Sequence, residues 1–191
     1  MLFRSVSASP ASSPDKTNLN VQVVEKSTGE VTFGAGYSSV GGVIGDIAVR
    51  ERNLLGKGQD VRLGFTIGTI SSSVTLSFTE PYFLDRQVAA GFDLFWTTND
   101  RQNIASYSDR SLGLALRTGW SLTEHTRQSV RYTLRQTEIY NVSPFASAIV
   151  KSQSGSSVTS EISETIAWDT RDQRLNPTKG WLARNSMAHG G

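Results

Sequence analysis

The sequence predicts an all-β protein: an antiparallel up-and-down transmembrane β-barrel, incomplete within this chain. Three observations predict it. Apolar residues recur at every second position along most of the chain, helix-period segments are hard to find, and aromatic residues collect where the alternating runs end. Average composition does not oppose this, because half of each barrel strand faces water: hydrophobic residues make up 37% and the mean hydropathy is -0.28. No apolar run approaches the roughly 20 residues of a spanning helix, which leaves a barrel as the one way to cross a bilayer.

The strands follow in order. Val31, Phe33, Ala35 and Tyr37 alternate with Thr32, Gly34, Gly36 and Ser38; Val43, Gly45, Ile47 and Val49 alternate with Ile44, Asp46, Ala48 and Arg50. Val61, Leu63, Phe65 and Ile67 form the next apolar face, followed by Val74, Leu76 and Phe78 and a strand end at Glu80, Pro81, Tyr82 and Phe83. After a short turn at Leu84 to Gln87 come Val88, Ala90, Phe92, Leu94 and Trp96, then Leu112, Leu114 and Leu116, then Val130, Tyr132 and Leu134. Ile162, Ile166 and Trp168 share a face, and a last strand begins near Gly180, giving about nine strands with no helix between them.

A soluble sandwich would also alternate. Against it stand strands longer than the usual 5 or 6 residues, a second face of Gly, Ser, Thr, Arg and Asp, and aromatics near strand ends that suit interfacial girdles. Alternate connections are short ("NLLGKG", "FLDRQ", "SLTEH", "RDQRLNPTKG"), whereas 98–106 and 138–160 read as long loops. Short periplasmic turns and long outer loops place the N-terminal segment in the periplasm.

The N-terminal "MLFRSVSASPASSPDKTN" lacks a central apolar stretch and does not read as a signal peptide. Residues 1–18 are expected to be a disordered or artefactual leader. Leu19, Val21 and Val23 alternate before a turn at Lys26 to Gly29, so 19–29 is expected to be the last strand of a separate periplasmic domain, with the barrel occupying 30–191. With no cysteine there is no disulfide framework or thiolate metal site, and a scattered charge of +2 does not suit nucleic acid. Glu161, Glu164, Asp169 and Asp172 with Arg171 and Arg174 read as a lumen salt-bridge network rather than catalytic groups. Glu164 falls on the apolar face if its strand is regular, so a bulge is expected nearby. His125 and His189 are too isolated to build a triad or a metal cluster, and no nucleotide loop is present. The chain is therefore not expected to be an enzyme or to need a cofactor.

Three stretches, "VEKSTGEVTFGAGYSSVGGVIGDIAVRERNLLGKGQ", "SFTEPYF" and "DTRDQRLNPTKGWLAR", resemble in order and spacing the BamA family of outer-membrane assembly factors, which carry polypeptide-transport-associated domains ahead of a barrel. The "MLFRS" leader matches nothing in that family. The resemblance implies the end of the last periplasmic domain and the first half of a barrel of about sixteen strands. It implies a protein that folds and inserts β-barrel clients into the bilayer, helped by accessory assembly lipoproteins. It further implies that the first strand, Val31, Thr32, Phe33, Gly34, Ala35, Gly36 and Tyr37, forms a lateral seam that takes up the client's last strand by β-augmentation. Glu80, Pro81, Tyr82 and Phe83 more simply end a strand at the interface than bind anything. Two other readings stay open: a passive small barrel serving as channel or anchor, and a translocation or autotransporter-assembly relative.

Overall fold

In the computed structural model, residues 2–10, 17–24, 27–39 and 41–191 are described. Two antiparallel sheets account for nearly all of them. The first pairs β1 (Leu2–Pro10) with β2 (Thr17–Val24). The second is a nine-stranded meander in chain order: β3 (Gly29–Ser38), β4 (Gly42–Leu54), β5 (Gln59–Gly68), β6 (Ser71–Glu80), β7 (Val88–Asp100), β8 (Ser108–Ser121), β9 (Thr126–Tyr140), β10 (Gly155–Asp169) and β11 (Leu182–Gly190). Every strand pairs with its sequence neighbours, so β3 and β11 form the two edges.

Register turns the alternation of single strands into two-dimensional faces. Val31, Val49, Leu63, Leu76, Leu94, Leu114 and Leu134 are successive cross-strand partners, an apolar row running from β3 to β9. On the opposite face Glu30, Arg50, Arg62, Ser77, Asp93, Ala115, Thr133 and Glu161 form a parallel polar row out to β10. A sandwich would bury the apolar row beneath a second sheet. Here Leu94, Leu112, Leu116 and Leu134 stay exposed, and Ala115 and Ala146 are the buried apolar residues among those described. The sheet is a wall, apolar on one side and polar on the other, which suits contact with lipid tails and a wet lumen.

Four expectations need correction. Leu2–Pro10 is a strand, not a disordered leader: Val6 lies opposite Val21 and Ala8 opposite Leu19, so the apolar residues of both strands share a face. Only two small apolar residues among serines carry that alternation. Residues 11–16 of the expected leader, and the start of the turn expected at Lys26 to Gly29, lie outside the described residues. The chain between strands also contains short helices, at Gln102–Ala105 (α1) and Ala148–Ser152 (α2), and a 3-10 turn at Phe83–Asp85. In α2 the Ser147 hydroxyl accepts from the Val150 amide at 3.3 Å, the usual way a serine starts a helix.

The third correction concerns loop lengths. β7 runs on to Asp100, β9 to Tyr140, and β10 begins at Gly155, so the long connections shrink to 101–107 and 141–154. Ser and Thr in "GSSVTS" extend β10 because their β-compatible side chains face partners on β9, whatever their polarity. The connections 39–41 and 69–70 on that side are short, and 170–181 on the other is long, so the contrast between sides is weaker than expected. Fourth, β10 keeps unbroken register with β9 and β11, and no bulge forms near Glu164. Glu164 stays on the face of Ile162 and Ile166, where it accepts a short hydrogen bond from the Gln128 amide of β9. A hydrogen-bonding neighbour on the same face removes the need to turn the carboxylate inward.

Candidate functional site

The expected seam residues Val31 to Tyr37 all lie on β3, and among the described residues β3 is bonded along one edge, to β4. In an antiparallel pair alternate residues direct their N–H and C=O groups towards the partner, so the remaining groups of β3 face away from β4. Phe33 and Tyr37 are 73% and 79% exposed, which leaves both rings open at this edge.

The two halves of the β3–β4 pair differ. At the turn end, Glu30 takes Arg52 at 2.7 Å, Thr28 donates to Glu51, and Arg50 is held by Asp60 of β5 with Nε 3.1 Å from each carboxylate oxygen. At the loop end, Gly34, Gly36, Gly41, Gly42 and Gly45 supply few side chains to pack; β4 stays paired with β5 from Ile44 onward, and the Thr69 hydroxyl accepts from the Val43 amide at 3.2 Å. Gly34 has a local reason: its Cβ would lie 2.4 Å from Oδ2 of Asp46, its direct cross-strand partner. The glycine therefore both makes room for the Asp46 carboxylate and leaves the edge sparsely packed.

Glu80, Pro81, Tyr82 and Phe83 stand together at the turn end of β6. Glu80 Oε1 accepts from the Tyr82 amide at 3.0 Å, and Oε2 accepts from Gln59 Nε2 at 2.7 Å, tying the 81–87 turn to the start of β5. Nothing in the local sequence announces the Gln59 partner, 21 positions away. Tyr82 is 62% exposed and Phe83 47%, as interfacial aromatics are.

The lumen face carries a brace that single-sequence reading missed. Asp93 of β7 meets Arg117 of β8 at 3.3 Å and Arg131 of β9 at 3.0 Å, while Arg117 Nη2 also donates to Thr79 Oγ1 at 2.8 Å and the Phe78 carbonyl at 3.2 Å. The Arg117 guanidinium thereby joins β6, β7 and β8, and the Asp93 carboxylate extends the brace to β9. Beside it the Phe95 ring lies over Gly113, where a Cβ would sit 2.2 Å from ring carbon Cζ, and the Arg135 guanidinium stands 5.5 Å from the ring centre. The row Phe95–Gly113–Arg135 was visible only as alternation, since cross-strand partners need register.

The carboxylates expected to form one network separate. Asp169 holds Arg171 through both oxygens at 2.9 Å. Asp172 accepts the amides of Gln173, Thr178 and Lys179 at 3.0, 3.0 and 3.1 Å and the Thr178 hydroxyl at 2.5 Å, organising the β10–β11 turn. Glu164 faces the apolar side with Gln128. The set is not a single network, and no group of three metal-ligating side chains occurs among the described residues. None of their helices is long and apolar enough to cross a membrane, which says nothing of strands.

A long-stranded meander with one apolar and one polar face, girdled by aromatics, is the wall of a membrane β-barrel. The chain belongs to the Omp85 superfamily, whose domain model matches residues 53–191. It is 30% identical over 184 residues to the outer membrane protein assembly factor BamA of Nitratidesulfovibrio vulgaris, covering 95% of this chain and 23% of that one. It is 28% identical over 187 residues to BamA of Neisseria meningitidis, covering 90% and 24%. The chain thus spans about a quarter of these relatives' length. The crystal structure of Haemophilus ducreyi BamA lacking POTRA domains 1–3 superposes with a TM-score of 0.68 at 22% identity, covering 97% of this chain and 39% of that one. CdiB from Acinetobacter baumannii shares the fold at a TM-score of 0.52 and 13% identity, covering 99% and 38%.

Proposed function

We propose that this chain is part of an outer-membrane assembly factor that folds and inserts β-barrel proteins, and that β3 is the strand on which a client's last strand pairs. The observation that carries the reading is the contrast along the β3–β4 pair, which is pinned by ion pairs at its turn end and rich in glycine at its loop end. A client strand in hydrocarbon has unpaired N–H and C=O groups, each costing several kcal/mol. The edge groups of β3 satisfy them by β-augmentation, with Val31, Phe33, Ala35 and Tyr37 on the lipid side and Thr32, Gly34 and Gly36 on the lumen side. Loose packing at the loop end lets the edge exchange partners without dismantling β4 to β9.

The family relationship supports β-barrel clients as partners and a placement in the lipid bilayer of the outer membrane; accessory assembly lipoproteins as further partners and a periplasmic N-terminal segment complete the proposal. Glu80 to Phe83 serve this reading by fixing a turn at the periplasmic interface. No step calls for a cofactor.

The experiment is Ala35→Pro in the full-length parent protein, expressed as its sole copy in cells. Proline removes an amide donor and crowds the neighbouring strand. Folded client barrels, scored by their heat-modifiable mobility, should fall at least about tenfold, which roughly 1.4 kcal/mol of lost pairing produces. Normal client assembly with the mutant would rule β3 out as the pairing strand and favour a passive barrel.

A further inference from the structure

At the turn end of the lumen face, Ser121, Arg127, Ala167 and Arg184 are successive cross-strand partners on β8, β9, β10 and β11. The small Ala167 leaves the two arginines facing across a trough. Two adjoining cavities of about 420 and 770 Å³ share Arg127, Ala167 and Arg184, so the trough is continuous. Arg171 and Arg174 line the smaller cavity, together with Glu124 and Asp169. Both oxygens of Asp169 are already taken by Arg171. Arg127, Arg174 and Arg184 take part in none of the ion pairs among the described residues, and Glu124 is the one remaining carboxylate of the lining. The larger cavity has no carboxylate in its lining, where Ser129 and Thr165 supply hydroxyls.

We infer that this trough binds an acidic, extended segment of a client polypeptide as it arrives from the turn side, before strand pairing. The inference rests on the assembly reading for the identity of the client, and on the trough alone for its chemistry. Arg127 and Arg184 stand two strand spacings apart, roughly 10 Å, a gap their long side chains close onto carboxylates that share one face of an extended chain at every second residue, about 7 Å apart. Guanidinium groups take carboxylates through paired N–H donors, and surplus cations on a water-lined wall attract such a segment from a distance. A single inorganic anion would occupy one arginine and leave most of the trough empty. Ser129 and Thr165, cross-strand partners in the next row of the same face, place hydroxyls beside the arginine row.

The test uses the full-length parent protein in detergent and a fluorescent decapeptide with aspartates at every second position, read by anisotropy. Arg127→Gln, Arg174→Gln and Arg184→Gln combined should weaken binding at least about tenfold. The same variant with lysines should recover part of it, and an asparagine version of the peptide should not bind. Unchanged affinity in the glutamine variant would overturn the inference, as would equal binding of the asparagine peptide. Full displacement by inorganic phosphate at the same concentration as peptide would do so too, by marking an anion site only. Heat-modifiable mobility of each variant verifies that its barrel is intact. Because binding is read without insertion, its failure leaves the β3 edge reading standing, and failure of Ala35→Pro to block assembly leaves the trough standing.

Discussion

At the scale of residues, glycines mark where this wall is tightest. A Cβ on Gly91 would lie 2.3 Å from the Phe78 carbonyl oxygen and 3.2 Å from the Arg117 guanidinium carbon, so the backbone of β6 and the brace above it both exclude a side chain. Gly91→Ala is expected to cost roughly 1–3 kcal/mol, seen as a lower denaturant midpoint of the full-length protein. Gly119→Ala, whose Cβ would meet its nearest atom at 3.5 Å, should leave the midpoint nearly unchanged. Gly180 has φ +85 and its Cβ would fall 2.2 Å from the Thr170 carbonyl oxygen, so only glycine fits where the β10–β11 turn closes. Within that turn, the Thr178 hydroxyl first, then the amides of Lys179, Thr178 and Gln173, hold the Asp172 carboxyl down to about 2. A carboxyl lowered in the folded state stabilises above its unfolded value near 4 and loses that contribution as pH falls towards 2. Exchange of the Thr178 and Lys179 amides, measured by mass spectrometry, should therefore accelerate relative to intrinsic rates between about pH 4 and pH 2. Asp172→Asn should flatten that dependence.

At the scale of elements, β3 is the strand whose stability should vary along its length. Within β3, the amides of 34–37 should exchange at least about tenfold faster than those of 30–33, compared between residues that bond to β4. Uniform protection would remove the physical basis for a loosened loop end. Much of this architecture was legible in the sequence, because period-two alternation survives wherever one face is apolar: Val61 to Gly68 and Val88 to Trp96 declare themselves without any partner. What escaped was set by partners far along the chain. Ser156 to Thr159 read as loop because their polarity hides a strand that exists by pairing with Arg135 to Glu138. Val6 and Ala8 gain meaning only opposite Val21 and Leu19. The seam residues could be placed on the first strand from alternation alone, but Asp46 as the neighbour that demands Gly34, and Arg117 as the centre of the brace, required register.

At the scale of the whole molecule, the wall has almost no interior. Along the row from Val31 to Leu134 no side chain is fully buried, Val31, Val49, Leu94 and Leu134 being exposed and Leu63, Leu76 and Leu114 half-buried, so in this account lipid takes the part that a core plays in a soluble domain. Side-chain ties are uneven: the brace at Asp93, Arg117 and Arg131 links β6 to β9, while the ion pair of β3 with β4 lies at its turn end. In the proposed reading, one strand is exchangeable and the others are fixed. The arginines on β9 to β11 that have no ion pair among the described residues lie away from that strand. The most direct measurement is disulfide capture in cells during client assembly. Single cysteines at positions 31 to 37 of the full-length parent would be paired with single cysteines along the last strand of a stalled client barrel. The account predicts cross-links along one antiparallel register, in which the parent position rises as the client position falls, and predicts them only while the client is assembling. Absence of cross-links to β3 under conditions where the same client cysteines trap another strand of the wall would contradict it.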